Sequence, residues 1–70
     1  MKILTEREKN VLQYLTYGYT NEKIASELDI SIHTVKAHLE AIYEKLDVSN
    51  RVQATIKSID LGIIEIKDRV

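Results

Sequence analysis

The chain has no cysteine, no proline, only two glycines among its 70 residues and no marked excess of either charge. Without cysteine there is neither a disulfide framework nor a thiolate metal site, and the redox compartment is left open. Gly18 and Gly62 stand far apart, so no glycine-rich phosphate loop can be assembled. The lack of proline suits short helices that run without internal interruption. Apolar runs reach only two or three residues, as in Ala41-Ile42-Tyr43. Nothing is therefore long enough to cross a bilayer and no signal peptide is visible, so the expected location is cytoplasmic, with no membrane partner. A net charge of -1 and a pI near 6.1 weigh against a strongly basic nucleic-acid binder. Affinity for a polyanion follows the local placement of charge more than its total, so that objection is partial.

What is present reads as one small globular domain spanning residues 1–70, with 44% hydrophobic and 30% charged residues. Thr5-Glu6-Arg7-Glu8 is a capping box that opens a first helix with Val11, Leu12 and Leu15 on its inner face and Leu4 docking ahead of it. Gly18 suits the left-handed residue that ends it, and Tyr14, Tyr17 and Tyr19 surround that end as core-edge residues. A second helix starts at Thr20 or Asn21, turns Ile24, Ala25 and Leu28 inward, and stops near Asp29. The short turn Leu28-Asp29-Ile30-Ser31 leads into a third helix from Ser31 to Asp47, in which Val35, Leu39, Ile42 and Leu46 form one narrow apolar stripe. Two helices joined so closely predict a helix-turn-helix over about residues 20–39.

A fourth helix is predicted from about Asn50 to Leu61, ending at Gly62. It has two candidate inner faces: the bulky Val52, Ile56 and Ile59, and the smaller Ala54, Ser58 and Leu61 nearly opposite. One meets the core and leaves the other for a second copy of the chain; Ala54, Ser58 and Leu61 are the candidate dimer face. The tail Ile63–Lys67 is too short to stand alone and is expected to pack down or fray. The fold class expected is all-α, a compact four-helix bundle containing a helix-turn-helix.

No catalytic constellation emerges. His33 and His38 are five apart, on different sides of a helix, and cannot ligate one metal together. The carboxylates are explained as caps or solvated faces, so no metal, cofactor or small-molecule ligand is expected. By contrast, the outer face of the third helix, with His33, Ala37, Glu40 and Glu44 flanked by Lys36 and Thr34, sets a small residue among hydrogen-bonding ones directly after a tight turn. That pattern points to the major groove of DNA.

The run LTEREKNVLQYLTYGYTNEKIASELDISIHTVKAHLEAIYEKLDVSNRVQA resembles the LuxR/FixJ-type (GerE-like) helix-turn-helix domain, as in the C-terminal effector domain of response regulators of two-component systems. The resemblance runs from Leu4 to about Ile59, and rests on LTEREKNVL, TNEKIA, SIHTVKAHL and KLDVSNR in that order. It implies a transcription regulator, dimeric on double-stranded DNA with two half-sites and a recognition helix over about 32–46; RNA polymerase is a candidate protein partner. Carried over residue by residue, Lys36, Ala37 and Glu40 match base-facing positions, and His33 on the same outer face is expected to join them. Asn21, Lys23, Thr34, Lys45 and Arg51 match or neighbour backbone-contacting positions, though Arg51 can also pair with Asp47; Thr20, Ser31 and His38 are expected along the backbone beside them. Two positions depart from the family pattern: Glu40 is acidic where relatives often carry a basic or polar residue, and Lys23 replaces the acidic residue of a capping box. The rival reading is a helix-turn-helix that binds a protein of the transcription machinery, supported by Glu40 and the acidic balance. Either an effector domain of a response regulator or a short standalone regulator fits the sequence.

Overall fold

Each helix is delimited at both ends by the same local chemistry. A computed structural model describes residues 3–64. Its helices are α1 (Glu6–Thr16), α2 (Asn21–Leu28), α3 (Ile32–Leu46) and α4 (Arg51–Asp60), and no strand occurs among the described residues. Thr5, Thr20, Ser31 and Asn50 each take an extended conformation at the N-cap, and each side chain accepts the N–H of the residue three further on. This satisfies a donor that the helix cannot use internally. In α1 the Glu8 carboxylate also accepts the Thr5 N–H at 2.9 Å, completing the capping box.

The C-termini repeat one motif as well. Gly18, Asp29, Asp47 and Gly62 have positive φ, and the next residue in each case returns its N–H to the carbonyl five positions back: Tyr19 to Tyr14, Ile30 to Ala25, Val48 to Tyr43 and Ile63 to Ser58. These are Schellman turns, in which a left-handed residue reverses the chain and an apolar one follows it. The apolar followers, Tyr19, Ile30, Val48 and Ile63, all pack against the core. Aspartate fills two of the left-handed positions because its short polar side chain tolerates that conformation better than most.

The core joins Val11, Leu12 and Leu15 of α1, Ile24 and Ala25 of α2, the Val35/Leu39/Ile42/Leu46 stripe of α3 and Ala54 of α4, with Leu4 and Ile64 closing the ends. Helix α3 packs against all three others, while α1 also touches α2 and α4. Burial on one stripe only is what leaves the opposite side of α3 in solvent. No helix among the described residues is long and apolar enough to cross a membrane. Of the tail, Ile64 is buried and Ile63 half-buried, so its start packs down; Glu65 to Lys67 lie outside the described residues.

Helix α4 corrects the expected dimer face. Ala54 and Ser58 are both 0% exposed and face inward, whereas Val52 and Ile56 are 64% and 56% exposed. The small residues let the α4 backbone come close to α1 and α3, which already fill the core with branched side chains. The Ser58 hydroxyl is satisfied by donating to the Thr55 carbonyl at 2.8 Å, so its burial leaves no orphaned group. Leu61 shares their side by sequence spacing but follows the end of the helix, and it remains exposed.

This geometry predicts opposite outcomes for the two faces. Ala54→Leu and Ser58→Leu overpack the interface with α1 and α3 and lower unfolding free energy by about 1–3 kcal/mol, or prevent folding. Val52→Lys and Ile56→Lys change it by no more than about 0.5 kcal/mol in urea denaturation of the monomer. The reverse ranking would show that α4 is inverted.

Candidate nucleic-acid interface

The link between α2 and α3 is as short as the local chemistry permits. Asp29 turns the chain in the left-handed region, Ile30 tucks against the core with its N–H on the Ala25 carbonyl, and Ser31 at once caps α3. The Ser31 hydroxyl accepts the Thr34 N–H at 3.0 Å and shares a hydrogen bond with the Thr34 hydroxyl at 2.9 Å. The first turn of α3 is thereby fixed relative to α2, and His33, Lys36, Ala37, Glu40 and Glu44 stand exposed on its outer side. Thr34 and His38 are half-buried along one edge.

On the other edge an open cleft of ≈ 230 Å³ is lined by Asn21, Lys36, Leu39, Glu40, Tyr43 and Arg51. Four residues singled out in the sequence, Asn21, Lys36, Glu40 and Arg51, therefore converge there from three helices. Arg51 does not pair with Asp47. Its guanidinium instead donates through Nη1 to Asn21 Oδ1 at 3.1 Å and through Nη2 to the Tyr19 carbonyl at 2.8 Å. Thr20 has its hydroxyl on the Lys23 N–H, and the Lys23 ammonium sits 4.4 Å from the centre of the Tyr19 ring, within cation–π range.

Lys45 does not line this cleft. Its ammonium donates to Glu8 Oε1 at 2.6 Å, bridging α3 to the capping box of α1. Burial pushes the Glu8 carboxyl up, but Lys45 and the Thr5 N–H and hydroxyl outweigh it and hold the group below its ordinary value of 4.5.

Tyr19 and Tyr43 were not assigned to the site by sequence reasoning. For Tyr19 a signal existed: with Gly18 in the left-handed position, Tyr14 and Tyr19 become the pair that a Schellman turn brings together, and their rings stack with centroids 5.2 Å apart. No local signal links Arg51 to Asn21, because they are 30 residues apart.

Residues 2–58 match the family described as GerE, bacterial regulatory proteins, luxR family. The chain belongs to the luxR family. Among curated relatives, the transcriptional regulatory protein DegU of Brevibacillus brevis is 43% identical over 67 residues, covering 96% of this chain and 28% of DegU. The response regulator protein VraR of Staphylococcus aureus is 42% identical over 64 residues, covering 91% of this chain and 31% of VraR. The luxR-family domain thus spans about a third or less of these relatives. Among solved structures, the response regulator ChrA of a heme-sensing two-component system superposes with TM-score 0.87 at 41% identity, covering 91% of this chain and 32% of ChrA. The transcription factor GerE superposes with TM-score 0.81 at 37% identity, covering 89% of this chain and 92% of GerE. The all-α fold and the regulatory family are shared; the relatives are not enzymes by name.

The Glu8–Lys45 pair sets a pH dependence. A carboxyl whose folded value lies below its unfolded one contributes stability above the unfolded value and loses it as pH falls through the folded one. Glu8→Gln, which keeps an acceptor for Thr5, lowers unfolding free energy by about 1–2 kcal/mol near neutral pH. Denaturation series run downward in pH will show that deficit shrinking once pH drops below 4.5, as wild-type Glu8 protonates. A deficit unchanged at low pH would mean that the pair contributes nothing electrostatic.

Proposed function

We propose that this luxR-family domain is a sequence-specific DNA-binding transcription regulator that acts as a dimer, with α3 entering the major groove. The observation that carries the reading is the outer, N-terminal half of α3, where exposed His33, Lys36, Ala37 and Glu40 sit beside the cleft that gathers Asn21 and Arg51. A bare apolar-stripe helix requires no such convergence. Lys36 suits guanine O6 and N7, Ala37 a thymine methyl and Glu40 the cytosine amino group; His33 reaches the adjacent base edge. Thr20, Asn21, Lys23, Ser31, Thr34 and His38 hold the register on the sugar-phosphate backbone, with Arg51 hydrogen-bonded to Asn21 beside them.

The second copy meets the outward face of α4. Val52, Ile56 and Leu61 are large, apolar and exposed there, and Ile56 and Leu61 also line a ≈ 540 Å³ groove with Val48. Two modest binding surfaces linked in this way gain from the raised effective concentration of the second. The relatives named as response regulators support a place for the domain in two-component signalling in the cytoplasm, with RNA polymerase as a protein partner of the bound dimer.

One observation favours a protein-binding helix-turn-helix: Glu40 lies exposed at the middle of the reading face in a chain of net charge -1. Selection of bound sites from random double-stranded DNA separates the two. The DNA-reading dimer enriches two half-sites centred roughly 10–10.5 bp apart. On the selected site Lys36→Ala weakens binding by about 1–3 kcal/mol, and Glu40→Gln relaxes the choice at one cytosine. Ile56→Lys keeps half-site binding but removes cooperativity between half-sites. Absence of any enriched sequence, with no gel shift at low salt, would leave the protein-binding reading standing.

A further inference from the structure

We propose that Arg51 is a positioning residue that orients the side-chain amide of Asn21 as a hydrogen-bond donor to a DNA phosphate. The inference rests on the DNA-binding reading above and adds to it the device that prepares one contact. A guanidinium carries N–H donors and no acceptor, so the group that Asn21 turns to Arg51 must be its carbonyl oxygen. The 3.1 Å contact from Nη1 to Oδ1 is that arrangement, and it turns the Asn21 Nδ2, with both of its N–H groups, away from Arg51. A free carboxamide presents its oxygen or its nitrogen with little preference; this one has its choice made.

Arg51 is itself held. Its Nη2 donates to the Tyr19 carbonyl at 2.8 Å, and the residue is half-buried at the first position of α4. The fork therefore spans two acceptors on the turn from which α2 begins, a task for which a planar, two-pronged cation is suited and a lysine is not. Helices α2 and α4 make no backbone-level contact with each other among the described residues, and the hydrogen bonds that tie the start of α2 to α4 are those of Arg51. The cleft that Asn21 lines contains two cations, Lys36 and Arg51, against one carboxylate, Glu40. Two amide N–H groups beside a local cationic excess suit an anionic oxygen. Because base-facing Lys36 and Glu40 line the same cleft, the oxygen is one of the DNA backbone next to the bases that α3 reads.

The test is a double-mutant cycle on a duplex carrying the selected site, with thermal melting of each variant alongside. Asn21→Ala is expected to weaken binding about tenfold, as for loss of a hydrogen bond to a charged group. Arg51→Met is expected to cost a similar factor, and Asn21→Ala made on top of it less than about threefold more, because the amide is no longer oriented. Asn21→Asp adds a dissociating readout: its carboxylate still accepts from Arg51, so the melting temperature holds or rises, yet it has no N–H to donate and binding falls by at least about tenfold. A purely structural role would move melting and binding together. If Arg51→Met does not fold, Arg51→Lys replaces it in the cycle, with the same non-additivity expected. Multiplicative losses in the cycle, or an Asn21→Ala change under twofold, overturn the proposal while leaving DNA binding intact; failure of the wild-type chain to bind the duplex at all overturns the DNA-binding reading beneath it.

Discussion

Burial of a single stripe on α3 is the constraint from which the rest of this domain follows. Val35, Leu39, Ile42 and Leu46 are all buried, and α1, α2 and α4 are each packed against the helix that carries them. A helix committed along so narrow a band cannot rotate about its axis without withdrawing four branched side chains from the core, at a cost of several kcal/mol. Its opposite face is therefore held outward, and whatever stands on that face is presented at fixed angles. The family to which the chain belongs is named for regulation, and such presentation is what a reading surface needs.

Capping chemistry delivers that helix to its place. Four N-caps and four Schellman turns bracket the helices, so the connections are short and leave little slack. The apolar residue after each left-handed position then plugs the core, coupling local chain reversal to global packing. The Glu8 carboxylate extends this economy: one oxygen accepts both the Thr5 N–H that completes the α1 cap and the Lys45 ammonium of α3. A local capping device and a long-range tie between helices thus share an atom.

The acidic total of the chain is less informative than the partition of its charges. Lys45 is used within the fold, while Lys36 and Arg51 line the cleft beside the outward face of α3. A net charge of -1 is compatible with a locally cationic edge once these residues are sorted by what they touch.

Sequence by itself determined the helices, their ends and the core stripes of the first three, because caps, left-handed residues and 3.6-residue periodicity are local signals written within a few positions of where they act. Thr5, Ser31 and Asn50 were legible as caps, Thr20 as one of two candidates beside Asn21, Gly18 and Gly62 as stops, and the α3 stripe as buried. Tertiary structure alone decided three things. It turned Ala54 and Ser58 inward in place of Val52 and Ile56, because closeness to α1 and α3 outweighed the size of the apolar side chains. It paired Lys45 with Glu8, 37 residues away. It joined Arg51 to Asn21 and Tyr19 across the length of α2 and α3, a pairing that depends on where α4 lies relative to α2 and therefore leaves no trace in the spacing of residues along either.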